Sequence, residues 1–441
     1  MEYYNKYETN FKVYVGSQAY LFVVDPKDME LVMNHQSTQR KSDFYDFIWS
    51  WLGQGLITSF GDRWRKHRKI ITPAFHFQIL EEFIDVFNSQ SEILVSMLKN
   101  ECKKGSIDVY PFIGRCTLDI ICETAFGTPI NAQECKDSQY VRCLHVVEEI
   151  FSQRLFQPIL ANKFLYLFSD TYRKERHAVK FIYNYIRSII RRRRQEFISN
   201  GEQNKDTTDS LGQKKRRAFL DLLLEYSGRD PSFTEQDILE EVTTFGFAGQ
   251  DTTAATLTFT LDSLARNPDI QKKAYDEIQG IFSDDPGRAA THKDLQQMKY
   301  LEMILKESLR LRTIIPFVGR VVERDMELNG TVLPKGLMIT LFIHGTHHSA
   351  RIHKEPEKFD PERYAPENTK LKHPFASIPF SGGPRNCIGQ KYAMLELKSV
   401  LSRLLRQFKV LPPFPDRQVV LKCEGVLKSD NGVHVQLRPR T

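Results

Sequence analysis

The sequence contains no C-x-x-C pair; its seven cysteines, at 102, 116, 122, 135, 143, 387 and 423, form an odd, scattered set. That pattern excludes a disulfide framework and a zinc ribbon, and fits reduced thiols with one special member. No G-x-G-x-x-G and no Walker loop occurs, so the chain brings no nicotinamide, flavin or nucleotide site of its own. A continuous apolar run of ~20 residues is missing, as is a signal peptide, so no membrane-spanning segment is legible. There is no internal repeat. Neither sign of charge dominates: +7 over 441 residues points away from nucleic acid and towards an acidic protein partner or an anionic membrane surface. The runs Arg191–Arg194 and Lys214–Arg217 lack interleaved aromatics. They read as a solvated helix end and a charged loop rather than a nucleic-acid patch.

What is present is apolar material, 41% hydrophobic and 11% aromatic, enough for a large core with an apolar pocket. The length alone would allow two or three domains. Motifs that must share one site nevertheless run from Trp64 to Gly389, which predicts a single domain over 1–441. It is expected to be mainly α with small β-sheets, broken by one flexible polar loop over 199–217. Phe11 to Val24 alternates as a hairpin, and Asp25-Pro26 opens a helix to Asn34. Helical spacing recurs from Pro73 to Lys99, from Val109 to Phe126 and from Tyr300 to Leu311. Thr234-x-x-Asp237 starts a helix that Asn267-Pro268 stops after Arg266, about 48 Å of chain at ~1.5 Å per residue. Segments between Arg320 and Phe342 predict a small sheet turning at Asn329-Gly330, and Asn431-Gly432 predicts a C-terminal hairpin. The aromatics of 151–168 read equally as core or as an apolar entrance touching a membrane.

The stretch that organises the rest is Phe380-Ser-Gly-Gly-Pro-Arg-Asn-Cys387-Ile-Gly389, followed at once by a helical run. A thiolate ligates heme iron only where the backbone lets a flat ring approach and where the sulfur's charge is stabilised. Gly383 and Gly389 supply the first, the N–H groups opening the next helix the second. Arg385 is placed to pair with a propionate. A lone cysteine is usually a small buried hydrophobe. The complete F-x-x-G-x-R-x-C-x-G spacing reverses that prior, and it resembles the heme-binding signature of the cytochrome P450 superfamily.

The resemblance extends over nearly the whole chain from residue 11 and implies a P450-like fold, with heme b between a long central helix and the loop of Cys387. It identifies Phe247-Ala248-Gly249-Gln250-Asp251-Thr252-Thr253 as the oxygen-handling part of that helix, where glycine and threonines weaken the helix and open a groove. Asp251 and Thr252 then supply the acid and the relay hydroxyl for proton delivery. Trp64 and Arg68, one helical turn apart, resemble the family's propionate clamp, with Arg320 a further partner; Arg65, Lys66 and Lys69 would face outward as a dock for an acidic reductase. Glu307, Arg310 and Arg363 resemble its structural Glu-Arg-Arg triad. The segments Trp51–Ser59, Pro73–Phe77 and Phe219–Leu223 look most like the fatty-acid ω-hydroxylase branch, family four.

Many members of that branch place a glutamate where this chain has Ala248, and that glutamate becomes ester-linked to the heme. Alanine cannot, so the resemblance implies heme held by Cys387 and non-covalent contacts. The usual H-R-D-P element is replaced by His347-His348-Ser-Ala, whose paired histidines lack further metal ligands in sequence. The implied activity is insertion of one atom of O2 into a C–H bond of a small apolar substrate: a fatty acid, another lipid or a xenobiotic. Electrons would come from an NADPH-dependent flavoprotein reductase. Two alternatives stand beside it, a heme-thiolate isomerase or dehydratase and an inactive heme-binding product. Eukaryotic relatives usually carry an N-terminal anchor. Without one in this sequence, the expectation is a monomer peripheral to the cytosolic face of the endoplasmic reticulum membrane.

Overall fold

A computed structural model describes residues 9–135, 138–203, 218–283, 285–370 and 372–440. The chain divides into two compact units, one of Met1–Tyr45, Leu98–Tyr110 and Ala255–Thr441, the other of Asp46–Met97 and Pro111–Ala254.

The first unit holds the β-structure. Four strands lie in the order Phe11–Val15, Gln18–Val23, Met338–Leu341, Val318–Val321. The expected hairpin forms around Gly16, Phe11 pairing with Phe22 and Val15 with Gln18. Its second strand then runs parallel to Met338–Leu341, so segments more than three hundred residues apart in sequence meet in one sheet. Asp25 caps the following helix, Pro26–Asn34, accepting from the amides of Lys27 and Asp28. Val23, Met29, Met33, Ile339 and Leu341 are fully buried between that helix and the sheet.

Asn329-Gly330 makes the predicted turn, both residues at positive φ, but its strands Met326–Leu328 and Thr331–Leu333 form a separate two-stranded ribbon. Asn431-Gly432 is not a hairpin turn. Val426–Ser429 pairs instead with Leu421–Glu424 across Gly425, and His434–Pro439 pairs with Phe408–Leu411 and Ser106–Asp108. The Asn431 side chain bonds Val420 and Gln418, and a Cβ on Gly432 would lie 2.7 Å from Asp108 Oδ2. The dipeptide therefore passes the chain from one sheet to another.

The second unit is helical. Gly61–Ile71, Gln139–Phe156 and Phe219–Arg229 lie wholly within it. Asp170–Gln203 continues through 199–203, so the predicted polar loop starts later than composition implies; the rest, 204–217, lies outside the described residues. Arginine, glutamine and glutamate are good helix formers, and the arginine run divides, Arg191 and Arg192 being exposed while Arg193 and Arg194 are held by carboxylates. Arg193 binds Asp221 through Nε and Nη2 at 2.7 and 2.9 Å, and Arg194 pairs with Glu235. The helix Glu235–Arg266 starts as predicted, Thr234 bonding Asp237 both ways, and contributes residues to both units.

Candidate active site

The loop Phe380–Gly389 is shaped by two residues with left-handed backbone, Ser381 (φ 60) and Gly383 (φ 66). A Cβ on Gly383 would stand 2.6 Å from the Met33 carbonyl oxygen, so only glycine allows this approach. Gly389 has φ −85 and caps the helix Gln390–Gln407. The Cys387 amide donates back to the Phe380 carbonyl at 2.9 Å and the Asn386 amide to Gly383, closing the loop on itself. Cys387 is exposed, two residues before the helix cap.

Arg320 and Arg385, both of the first unit, are 0% and 8% exposed. Arg320 Nη1 reaches only the Gly319 carbonyl, and its buried Nε and Nη2 have no partner among the described residues. Lys41, half-buried on the same unit, has Tyr45 beside it, Nζ lying 3.5 Å from the phenol oxygen and 4.8 Å from the ring centroid. Burial, then Arg320 and Arg385, hold its amine well below the ordinary lysine range. Among the described residues no carboxylate stands within ion-pair distance of Arg320 or Lys41. Holding Arg320 and Lys41 together with no carboxylate in reach among the described residues is costly. Such a cluster fits a group that brings its own anionic charge, as the two propionates of heme do. Lys41 was not legible in the sequence, because nothing local to it signals the neighbours that come from residues 320 and 385.

Glu307, Arg310 and Arg363 meet in one hydrogen-bonded network. Arg310, fully buried, donates from Nε and Nη2 to the two oxygens of Glu307, each at 2.8 Å, and from Nη1 to the His347 carbonyl at 2.7 Å. Arg363 Nε reaches Glu307 Oε1 at 3.2 Å. His347 is structural: its Nε2 accepts from the Ile378 amide and its Nδ1 meets the Thr313 hydroxyl, while burial keeps the ring neutral. His348 bonds Glu357 and the Leu311 carbonyl. No group of three metal-ligating side chains occurs among the described residues.

On the second unit, Ala248 to Thr252 lie in continuous α-helix rather than in an opened groove. The threonine hydroxyls turn inward onto the helix: Thr252 Oγ1 donates to the Ala248 carbonyl at 2.8 Å, and Thr253 bonds that of Gly249. Gly249 serves close packing, since a Cβ there would sit 2.6 Å from Ile121 Cδ1. Asp251 is 1% exposed. Trp64 and Arg68 are half-buried on the helix Gly61–Ile71, and Arg65 and Lys69 are exposed. Lys66 is not part of a free basic face, because it pairs with Asp230 at 3.0 Å and bonds Ser232. That helix is fastened by residues the sequence did not single out. His67 Nδ1 lies 2.6 Å from Glu241 Oε1, and Arg63 pairs with Asp237 and Glu240.

The family model for cytochrome P450 matches residues 1–436. The chain is 38% identical over 436 residues to cytochrome P450 4c3 of Drosophila melanogaster, covering 97% of this chain and 82% of that one. It is 38% identical over 431 residues to cytochrome P450 4V2 of Homo sapiens, with the same coverages. The solved structure of the cytochrome P450DA heme domain aligns with a TM-score of 0.85 at 22% identity, over 100% of this chain and 92% of that one, a likeness of fold.

Proposed function

Because the chain belongs to the cytochrome P450 family and is a heme-thiolate monooxygenase of family-four type, we infer that it hydroxylates a long apolar substrate, a fatty acid or related lipid, near the end of its chain. The cofactor is heme b with a cysteine thiolate as axial ligand, and in our reading that cysteine is Cys387. When bound, the heme supplies the redox centre at which O2 is activated. The protein's part is to hold that group and to move protons. Arg320, Arg385 and Lys41 would neutralise the propionates, with Trp64 and Arg68 as further partners. Asp251 and the Thr252 hydroxyl would carry protons towards O2. The observation that carries the oxygen-using reading is the retained Asp251-Thr252 pair within Ala-Gly-Gln-Asp-Thr-Thr. Electrons would come from an NADPH-dependent flavoprotein reductase docking on the exposed Lys69 and on Arg65, which is exposed though paired with the exposed Asp62.

No helix among the described residues is long and apolar enough to cross a membrane. Peripheral contact with the cytosolic face of the endoplasmic reticulum fits the outward Phe156, Ile159, Phe164 and Phe168, which are 60–73% exposed. The test is reconstitution with NADPH, such a reductase and a fatty-acid panel. The reading predicts hydroxylated product that requires both NADPH and O2. Turnover of lipid peroxides without reductase, and none with it, would overturn it.

The cationic cluster makes a separate prediction with opposite signs for two measurements. Arg320→Met removes a buried charge with no carboxylate partner among the described residues, so unfolding of the heme-depleted chain by urea should be unchanged or later, by up to ~1 kcal/mol. Heme transfer to apomyoglobin should become faster, because a propionate partner is lost. Slower or unchanged transfer would remove Arg320 from the heme site.

A further inference from the structure

The first unit contains a cavity of about 160 Å³ whose wall includes Arg310, His353, Arg363, Tyr364, Lys372 and Ser377. That volume is well below the ~300–1,000 Å³ of sites for drug-sized ligands and suits an ion of a few heavy atoms. Three of these side chains are cationic. Among the described residues, the one carboxylate within ion-pair distance of any of them is Glu307, which Arg310 and Arg363 share. Each guanidinium makes four hydrogen bonds, to Glu307 and to the carbonyls of His347, Lys354, Glu355 or Lys358, so its part in the cavity is mainly its positive field. Lys372 differs. It is exposed, its Nζ makes one bond among the described residues, to the Arg363 carbonyl at 3.0 Å, and two N–H groups are left to donate. The Tyr364 and Ser377 hydroxyls lie 2.6 Å apart, a pairing that uses one of their two protons and leaves the other. His373, also on the wall, is taken up by the Phe375 amide and by Glu30.

His353 is the residue that points to a ligand. It is 3% exposed, its Nε2 lies 3.0 Å from the Ala376 carbonyl, and its buried Nδ1 has no partner among the described residues. A carbonyl only accepts, so Nε2 carries the ring proton. Burial pushes the pKa of the ring down to about 4, which leaves Nδ1 a bare acceptor at neutral pH. A buried acceptor left unmet is unfavourable. The wall therefore offers excess positive charge, donors at Lys372 and at one hydroxyl, and an acceptor that needs a proton. An oxyanion that keeps an O–H answers all three, whereas sulfate or chloride answers only the first two. The same wall is the entry to the cysteine loop. Ala376 and Ser377 precede Ile378, whose amide His347 holds, and Phe380, whose carbonyl accepts from the Cys387 amide.

We propose that this cavity binds a small oxyanion carrying its own O–H, with inorganic phosphate as the fitting ion, and that the bound ion braces the segment leading into the cysteine loop. Its charged oxygens take the Lys372 ammonium and the remaining hydroxyl proton, and its O–H donates to His353 Nδ1. No part of this depends on the substrate inferred above.

The experiment is equilibrium dialysis of purified holoprotein against radiolabelled phosphate, with ionic strength held constant by sodium chloride. Wild type should show one saturable site per chain. Arsenate, which matches phosphate in shape and keeps its O–H, should displace the label, and sulfate should need at least about tenfold more to do so. Lys372→Gln, at an exposed position, should weaken binding roughly tenfold or more. His353→Phe should bring phosphate and sulfate to within about twofold of each other; should that variant fail to fold, the sulfate comparison in wild type and the loss in Lys372→Gln decide. Saturating phosphate should also slow heme transfer to apomyoglobin by about twofold or more in wild type and not in Lys372→Gln. No saturable site, or sulfate bound as tightly as phosphate in wild type, overturns the proposal. Full affinity in Lys372→Gln puts the ion elsewhere and overturns it equally. Phosphate binding with unchanged heme transfer overturns the bracing of the loop.

Discussion

Arg310→Ala is expected to give aggregate or heme-free protein rather than a folded enzyme with a weakened site. Arg310 is fully buried and spends four hydrogen bonds on Glu307, His347 and Lys358. Among the described residues Glu307 would be left facing only the Arg363 Nε at 3.2 Å and the Asp360 amide at 3.0 Å. Breaking one partner out of a buried charge network costs about 3–5 kcal/mol, against a total stability of roughly 5–15 kcal/mol for an ordinary domain. The effect should spread along the chain, because the His347 carbonyl is one of the lost acceptors and the His347 ring holds the Ile378 amide two residues before Phe380. Arg310→Lys should not rescue, since an ammonium cannot replace the paired contacts of a guanidinium. The measurements are soluble yield and the heme-to-protein ratio; a soluble Arg310→Ala protein with full heme content would contradict this account.

The second large effect is kinetic. Asp251→Asn and Thr252→Val should each lower the rate of product formation by roughly 10²–10³-fold, within the range of general acid–base catalysis. The heme spectrum should not change, because neither side chain is assigned to hold the cofactor. NADPH oxidation should exceed product formation, with the balance recovered as hydrogen peroxide, since O2 that is reduced but not supplied with protons in the right place leaves as peroxide. The Thr252 hydroxyl currently gives its proton to the Ala248 carbonyl at 2.8 Å, which leaves its lone pairs as acceptors and requires the hydroxyl to rotate before it can donate elsewhere. Thr252→Ser keeps that hydroxyl and should retain most of the activity. Equal activity in Thr252→Ser and Thr252→Val would show that the hydroxyl carries no proton.

The parts that were legible in the sequence are those whose signal is local or has fixed spacing. The cysteine loop, the helix from Glu235 to Arg266 and the Glu307–Arg310 turn each carry their pattern within a few residues, and Arg363 follows once the other two are found. What was not legible depends on which distant segments meet. Lys41 matters because residues 320 and 385 are brought near it, and nothing in Arg40-Lys41-Ser42 announces that. Gly249 was read as a weak point in a helix, whereas Ile121, more than a hundred residues earlier, is what requires a missing side chain there. Asn431-Gly432 has the chemistry of a hairpin turn, but Asp108 and residues 418–420 decide which strand follows it.

The central claim, that Cys387 binds heme through its thiolate in a folded pocket, is tested most directly by the carbon monoxide difference spectrum of the dithionite-reduced, purified protein. The account predicts the strongly red-shifted Soret band of a thiolate-ligated ferrous carbonyl complex, and its loss in Cys387→His. A band at the shorter wavelength of neutral-ligand hemes in the wild-type chain, or no heme at all, would contradict it.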